Sequence, residues 1–366
     1  MKSQKGFAHT VLLILLVAAV GVAVYIFLPR KLPQNTKSAI GSYDCPQVTG
    51  PTFDDSYYKG PLIDTHYHIP NLPETPFFND IQPILGKNMT ISDIICTLNQ
   101  EGTKKAFAFF PVFPGMDKEY LDLAKETMEL YPDTLVPFIM PPESDNDPGG
   151  FPTVDAEYLE KMLTTYPGLF KGFGEIGLYE RKGGAKALPP DSQRLLAIYP
   201  VVRKHSLVVY FHLGEGQQES FEKILDQNPD INFIWHGDQL IPYEDGIQNL
   251  KHIEEILERH SNAFYTVDEL YGDQWMIRPE VKKDEFLKYL QNYEELLEKD
   301  VATWKAAIER HPDQFMWGTD RSPQILWSHD PEVGQALSNY GRFFISRLNP
   351  AVQEKFAWKN AERLLK

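Results

Sequence analysis

From residue 58 to the C-terminus, short apolar runs of strand length alternate with longer segments whose apolar residues recur every three to four positions. The short runs predict strands at Leu62 to His68, Lys105 to Val112, Thr134 to Met140, Phe170 to Leu178, Leu207 to Leu213, Ile231 to His236, Ala263 to Val267 and Gln314 to Thr319. The longer segments predict helices at Ser92 to Glu101, Lys118 to Tyr131, Asp155 to Tyr166, Ser192 to His205, Gln218 to Asn228, Ile247 to His260, Asp284 to Arg310 and Glu332 to Leu348. Eight strands, each followed by a helix, predict an α/β fold of the closed parallel (β/α)8 type, a TIM barrel.

The N-terminus breaks this pattern. Val11 to Leu28 carries no charge over 18 residues, follows Lys2 and Lys5, and closes at Pro29-Arg30-Lys31. That length spans a bilayer as a helix. The chain therefore divides into a tail (1–10), a transmembrane helix (11–28), a Pro-, Ser- and Gly-containing linker (29–57) and the barrel (58–366). The expectation is a single-pass anchor in the cell membrane, with the barrel outside the cytoplasm.

Charge narrows the partners. Five of the 36 basic residues but none of the 51 acidic ones precede Asp44, so the rest of the chain carries about 20 net negative charges. A polyanion meets such a field unfavourably, which excludes a nucleic acid polymer as the expected partner and leaves a small molecule. Cys45 and Cys96 lack the short spacing of a zinc knuckle; outside the cytoplasm they could pair, but Cys96, within an apolar helical stretch, reads first as a buried free thiol.

In a barrel, chemistry sits at the C-terminal ends of the strands. The first strand ends Asp64-Thr65-His66-Tyr67-His68, and alternation sets Asp64, His66 and His68 on one face, with Ile63, Thr65 and Tyr67 on the other. Two imidazoles so placed can share a metal ion, or be two core histidines with hydrogen-bond partners. The fourth strand holds Glu175 between glycines, which is costly to bury without a cation or an ion pair to Lys171 on the same predicted face. The fifth and sixth strands end in His212 and His236, and the eighth in Asp320 followed by Arg321. Arg321 is placed to grip an anionic group bidentately or to form a surface salt bridge. His205, His252, His260 and His311 read as helix-end charges, and His329 as a solvated loop residue.

This constellation resembles the amidohydrolase superfamily over nearly all of residues 58–366. Gly174-Glu175-Ile176-Gly177-Leu178 is similar to the strand-four signature of TatD-type enzymes. Met316-Trp317-Gly318-Thr319-Asp320 and the closing Asn360-Ala361-Glu362-Arg363-Leu364-Leu365 look like the amidohydrolase-related branch of lactonases and decarboxylases. The resemblance implies one divalent ion on His66, His68 and Asp320, or two ions with Glu175 bridging and His212 and His236 on the second. Zinc suits this donor mixture best, with manganese or iron as alternatives. It further implies water activated by metal, Asp320 as general acid and base, and His236 or His212 polarising a carbonyl if one ion binds. The implied reaction is hydrolysis of a small ester, lactone, amide or phosphoester. The rivals are a non-oxidative decarboxylase and a tethered binding protein without turnover.

Overall fold

Eight parallel strands pair in chain order: β1 Leu62–His68, β2 Thr103–Pro111, β3 Leu135–Met140, β4 Gly172–Gly177, β5 Val208–His212, β6 Phe233–His236, β7 Ala263–Val267 and β8 Phe315–Trp317. The computed structural model describes residues 53–69, 91–112, 117–141, 150–181, 184–236, 246–268, 270, 281–291, 293–321 and 327–365. The helices among them are α1 Ile91–Glu101, α2 Asp117–Leu130, α3 Ala156–Thr165, α4 Gln193–Lys204, α5 Gln218–Gln227, α6 Gly246–Arg259, α7 Lys283–Gln291, α8 Tyr293–Arg310, α9 Pro331–Ile345, α10 Pro350–Glu354 and α11 Asn360–Arg363. A π-helical turn, Lys355–Lys359, joins the last two. The architecture is the (β/α)8 barrel that the apolar pattern predicts. The one helix expected over Asp284 to Arg310 is two, α7 and α8. Asn292, between them, lies outside the described residues.

The barrel is nearly closed. β8 is only three residues long, and its seam with β1 consists of one bridge, Tyr67 to Arg321, and side-chain bonds. Thr65 Oγ1 donates to the Trp317 carbonyl (2.8 Å), and the Asp64 carboxylate accepts from the backbone N–H of Thr319 (3.1 Å). Strand interiors are filled by Phe107, Phe109, Phe138, Tyr210, Ile234, Phe264 and Met316. Each such side chain, fully buried, contributes on the order of 1.5–3 kcal/mol. Ala361 and Leu364 join the same cluster, so the C-terminal segment stoppers the end of the barrel opposite the strand C-termini. Asn360 fixes that stopper by donating to the carbonyls of Pro312 and Phe315, both at 2.9 Å.

Residues 53–57, expected as the end of the linker, pack on α9. The Tyr57 ring meets Phe343 edge-on at 4.8 Å, and Ser346 Oγ donates to the Ser56 carbonyl (2.9 Å). Composition alone hides this, because the anchoring groups are two aromatic rings and a backbone carbonyl. Cys96 is not a free thiol but is disulfide-bonded; the chain's other cysteine, Cys45, lies outside the described residues. The predicted span Val11 to Leu28 also lies outside them, and no helix among the described residues is long and apolar enough to cross a membrane.

Candidate metal centre

Two strands depart from simple alternation, and both carry predicted ligands. On β1, Asp64 pairs with Ala106 and Tyr67 with Ala108, so three steps on one strand face two on the other. On β4, Phe173 pairs with Val209 and Ile176 with Phe211, the same mismatch. Such bulges re-aim the residues that follow them. Ile63 consequently lies in the inner cluster, while Tyr67 and Phe173 join the outer layer against the helices. Past the bulges, His66 and Glu175 turn into the barrel mouth. The bulge on β4 needs Gly174, whose φ is +129° and whose added Cβ would lie 2.3 Å from the Tyr210 carbonyl oxygen.

Asp64 does not join the histidines. Its carboxylate accepts from the backbone N–H of His66 (3.0 Å) and from the Thr319 backbone and hydroxyl, which clasps β1 to β8. Burial pushes it up to about 6, against the pull of Arg321 and these hydrogen bonds.

The predicted ligands converge on one point. His66 Nε2, His68 Nε2 and Asp320 Oδ1 form a triangle with sides of 3.2, 3.2 and 3.3 Å. Donors on a tetrahedral ion with bonds of 2.0–2.1 Å stand about 3.3–3.4 Å apart, so the triangle has the dimensions of one tetrahedral face. Glu175 Oε2 lies 3.4 Å from His66 Nε2 and 3.2 Å from His68 Nε2. Its other oxygen accepts from His236 Nε2 (2.7 Å) and lies 3.1 Å from His212 Nδ1. Lys171 is exposed and takes no part in this cluster, so the ion pair weighed against a metal role for Glu175 does not form. Asp320 itself adopts a left-handed backbone conformation (φ 42°), one that Asp tolerates better than most side chains.

Asp268, immediately after β7, completes the arrangement. It is fully buried, and its Oδ2 lies 2.5 Å from His66 Nδ1 and 3.2 Å from His236 Nδ1. One carboxylate thereby holds the Nδ1 side of two imidazoles and turns both Nε2 atoms inward, the support metal-binding histidines require. The residue was readable in principle: β7 ends in a carboxylate just as β8 does, one position beyond the apolar run.

The electrostatics call for a cation. Burial alone would raise Glu175, but the imidazole of His236 and hydrogen bonds from His212, His236 and His66 hold it well below the usual carboxylate range. Burial opposes charge on His66, yet Asp320 and the hydrogen bond to Asp268 raise it to about 10. The buried Asp268 and the largely enclosed Glu175 and Asp320 are thus balanced by protons on histidines, which a divalent ion would displace.

Arg321 and His329 are not where the sequence suggested. Arg321 is fully buried and donates from Nη1 and Nη2 to Glu101 at the end of α1, at 2.7 and 2.5 Å. Its fork is spent on a structural pair rather than turned to a ligand. Glu101 carried an unread signal, since an acid in the last turn of a helix opposes the helix dipole and needs a specific partner. His329 is 2% exposed; its Nε2 donates to the His68 carbonyl (3.0 Å) and its ring stands edge-on to Tyr67. Burial pushes this imidazole down to about 3, so it is a neutral prop under the His68 backbone. His205, His260 and His311 sit at helix ends beside Glu160, Glu222 and Glu254.

A family model described as amidohydrolase matches residues 63–366. Among solved structures, the chain is similar to an amidohydrolase from Burkholderia multivorans with bound zinc, at 13% identity and a TM-score of 0.54, over 84% of this chain and 99% of that one. It is also similar to 4-oxalomesaconate hydratase from Rhodopseudomonas palustris (15% identity, TM-score 0.49, 83% and 95% covered). A third is the manganese complex of 5-carboxyvanillate decarboxylase from Novosphingobium aromaticivorans (13% identity, TM-score 0.47, 86% and 99% covered). No curated protein matches the chain.

Proposed function

Since the chain belongs to the amidohydrolase family, we propose that it is a metal-dependent hydrolase of a small ester, lactone, amide or phosphoester, working with one divalent ion, zinc by preference. The observation that carries this reading is the tetrahedral-sized triangle of His66, His68 and Asp320 at the barrel mouth. His66, His68, Asp320 and Glu175 would hold the ion. One ion rather than a bridged pair is supported by the triad with His68 and Asp320 and the alternative triad with Glu175 and His236 both depending on His66. The Nδ1 of that ring is already taken by Asp268, so one Nε2 serves both. When bound, the ion supplies Lewis-acid polarisation and makes water nucleophilic near neutral pH.

The chain's own groups do the rest. Asp320 accepts the proton of the attacking water and returns it to the leaving group, general acid and base work by one carboxylate. His236, which reaches Glu175 through Nε2 and Asp268 through Nδ1, is the group assigned to polarise the substrate carbonyl, with His212 beside it at 4.2 Å between ring centroids. The test is a panel of lactones, esters, amides and phosphoesters with the protein chelated and then reloaded with zinc or manganese. Turnover lost on chelation and regained with either ion is expected. Release of CO2 from carboxylic acids without hydrolysis of any panel member would reassign the site to decarboxylation, and inertness in every assay with the ion bound would leave a binding protein.

The location outside the cytoplasm, on a tether formed by Val11 to Leu28, belongs to the same proposal. It is supported by the charge-free length of that run and by the disulfide at Cys96, which an oxidising compartment favours. Membrane fractionation with thiol labelling checks it. Protein in the alkali-resistant membrane fraction with no labelled thiol is expected, and soluble protein with two reactive thiols would overturn it.

A further inference from the structure

Asp268 holds the Nδ1 atoms of His66 and His236 through one oxygen, and a hydrogen bond at one ring atom leaves the tilt of each imidazole free to drift. A second contact has to set the ring planes, and the next layer of the barrel interior supplies it. Tyr210 precedes His212 by two residues on β5, so alternation carries its side chain to the same inner face about 7 Å deeper. Its ring centroid lies 5.2 Å from that of His66 and 5.8 Å from that of His236, at interplanar angles of 55° and 50°. Phe109 makes the companion contacts, 5.2 Å from both His66 and His68, and meets Tyr210 edge-on at 4.9 Å. The two rings form a floor, with Phe109 below His66 and His68 and Tyr210 below His66 and His236. Among the described residues, the one non-histidine ring against His236 is that of Tyr210.

We propose that the Tyr210 ring is a positioning element of the metal centre: wedged beneath His66 and His236, it fixes the tilt at which both Nε2 atoms point into the site. The proposal rests on the reading of the cluster as a metal site. Ligand directions have to be held to within roughly 10–20°, and tilted aromatic pairs at these separations have a preferred geometry that a flexible aliphatic side chain cannot impose. Both candidate triads contain His66 and one contains His236, so loss of the ring disturbs the ion in either place. The hydroxyl has no such part: fully buried, it makes no hydrogen bond of normal geometry, and phenylalanine would build the same floor.

Cobalt(II) binding to the full-length protein tests this, because its visible absorption reports coordination geometry, together with the imidazole Cε1–H resonances of the metal-free protein. Tyr210→Met fills the space without a ring, and Tyr210→Phe keeps the ring without the hydroxyl. Phe138→Leu loosens the same floor at a ring that meets Phe107, Phe109 and Tyr210 rather than a histidine. Tyr210→Met is expected to weaken cobalt binding about tenfold or more, change the absorption bands and move the resonances of His66 and His236. Tyr210→Phe should match the wild type in all three, and Phe138→Leu should melt earlier with the bands unmoved. Tyr210→Met, or Tyr210→Leu should the first not fold, with bands and resonances as in the wild type would overturn the proposal. So would Tyr210→Phe as weak as Tyr210→Met, since the hydroxyl would then act, or Phe138→Leu changing the bands as much, since any loss of packing would then suffice. A wild type that binds no cobalt or zinc, with resonances that still follow the Tyr210 ring, would sink the metal reading and leave the positioning of the two imidazoles standing.

Discussion

Glu175→Ala is expected to lower the affinity of the protein for zinc by about 10- to 100-fold or more, the range seen when even supporting groups of a metal site are lost. The wild type should carry close to one ion per chain after dialysis against a weak chelator, and the variant well below that. The reason is that both oxygens of Glu175 are engaged: Oε2 faces His66 and His68, and Oε1 faces His212 and His236. Removing the carboxylate strips one donor from the ion and also releases the two imidazoles that lean on it. The pH dependence follows from the same cluster. In the metal-free protein His66 is raised to about 10 and His68 is raised as well, so the ion must displace protons. Affinity therefore climbs as pH rises from 6 to 9 and levels off only as His66 loses its proton unaided, with each competing proton worth about tenfold per pH unit. Elemental analysis and chelator competition at several pH values read both effects. Wild-type and variant proteins retaining zinc equally would sink this assignment, and two ions falling to one would show a bridged pair instead.

Much of this centre was legible because the fold converts a one-dimensional pattern into a place. A polar residue at the C-terminal end of an apolar strand has no helix to pack against and no interior partner by default. His66, His68, His212, His236 and Asp320 all stood out on that rule, and the structure sets them around Glu175. What escaped the sequence was anything set by a break in periodicity or by a distant partner. Alternation placed Asp64 with the histidines; the bulge on β1 separates them, and nothing in composition announces a bulge there, whereas the one on β4 carries the glycine at 174. Asp268 sits one residue beyond its strand. His329 was read as solvated because it lies on the loop following strand eight, whereas its burial comes from Tyr67 and the His68 carbonyl, over 250 positions away.

Arg321 was the residue most misread, and it carries the second large expectation. Arg321→Met should destabilise the domain by about 3–5 kcal/mol, since it leaves the Glu101 carboxylate buried without its partner. For a barrel of this size that corresponds to a fall in melting temperature of roughly 5–8 °C. The double variant Glu101→Leu with Arg321→Met should recover most of the loss, because two apolar side chains of similar volume need no desolvated charge to be compensated. A ligand-binding role for Arg321 predicts the opposite pattern, with stability nearly unchanged in the single variant and substrate affinity reduced. The pair also bears on the site, because Arg321 follows Asp320 directly and bridges to Tyr67, the residue between His66 and His68. The buried fork therefore ties the outer helix α1 to the two strands whose ends must meet for His66, His68 and Asp320 to form one triangle. Metal affinity should accordingly fall in the single variant and return in the double one, which thermal melts and chelator competition on the same samples would resolve.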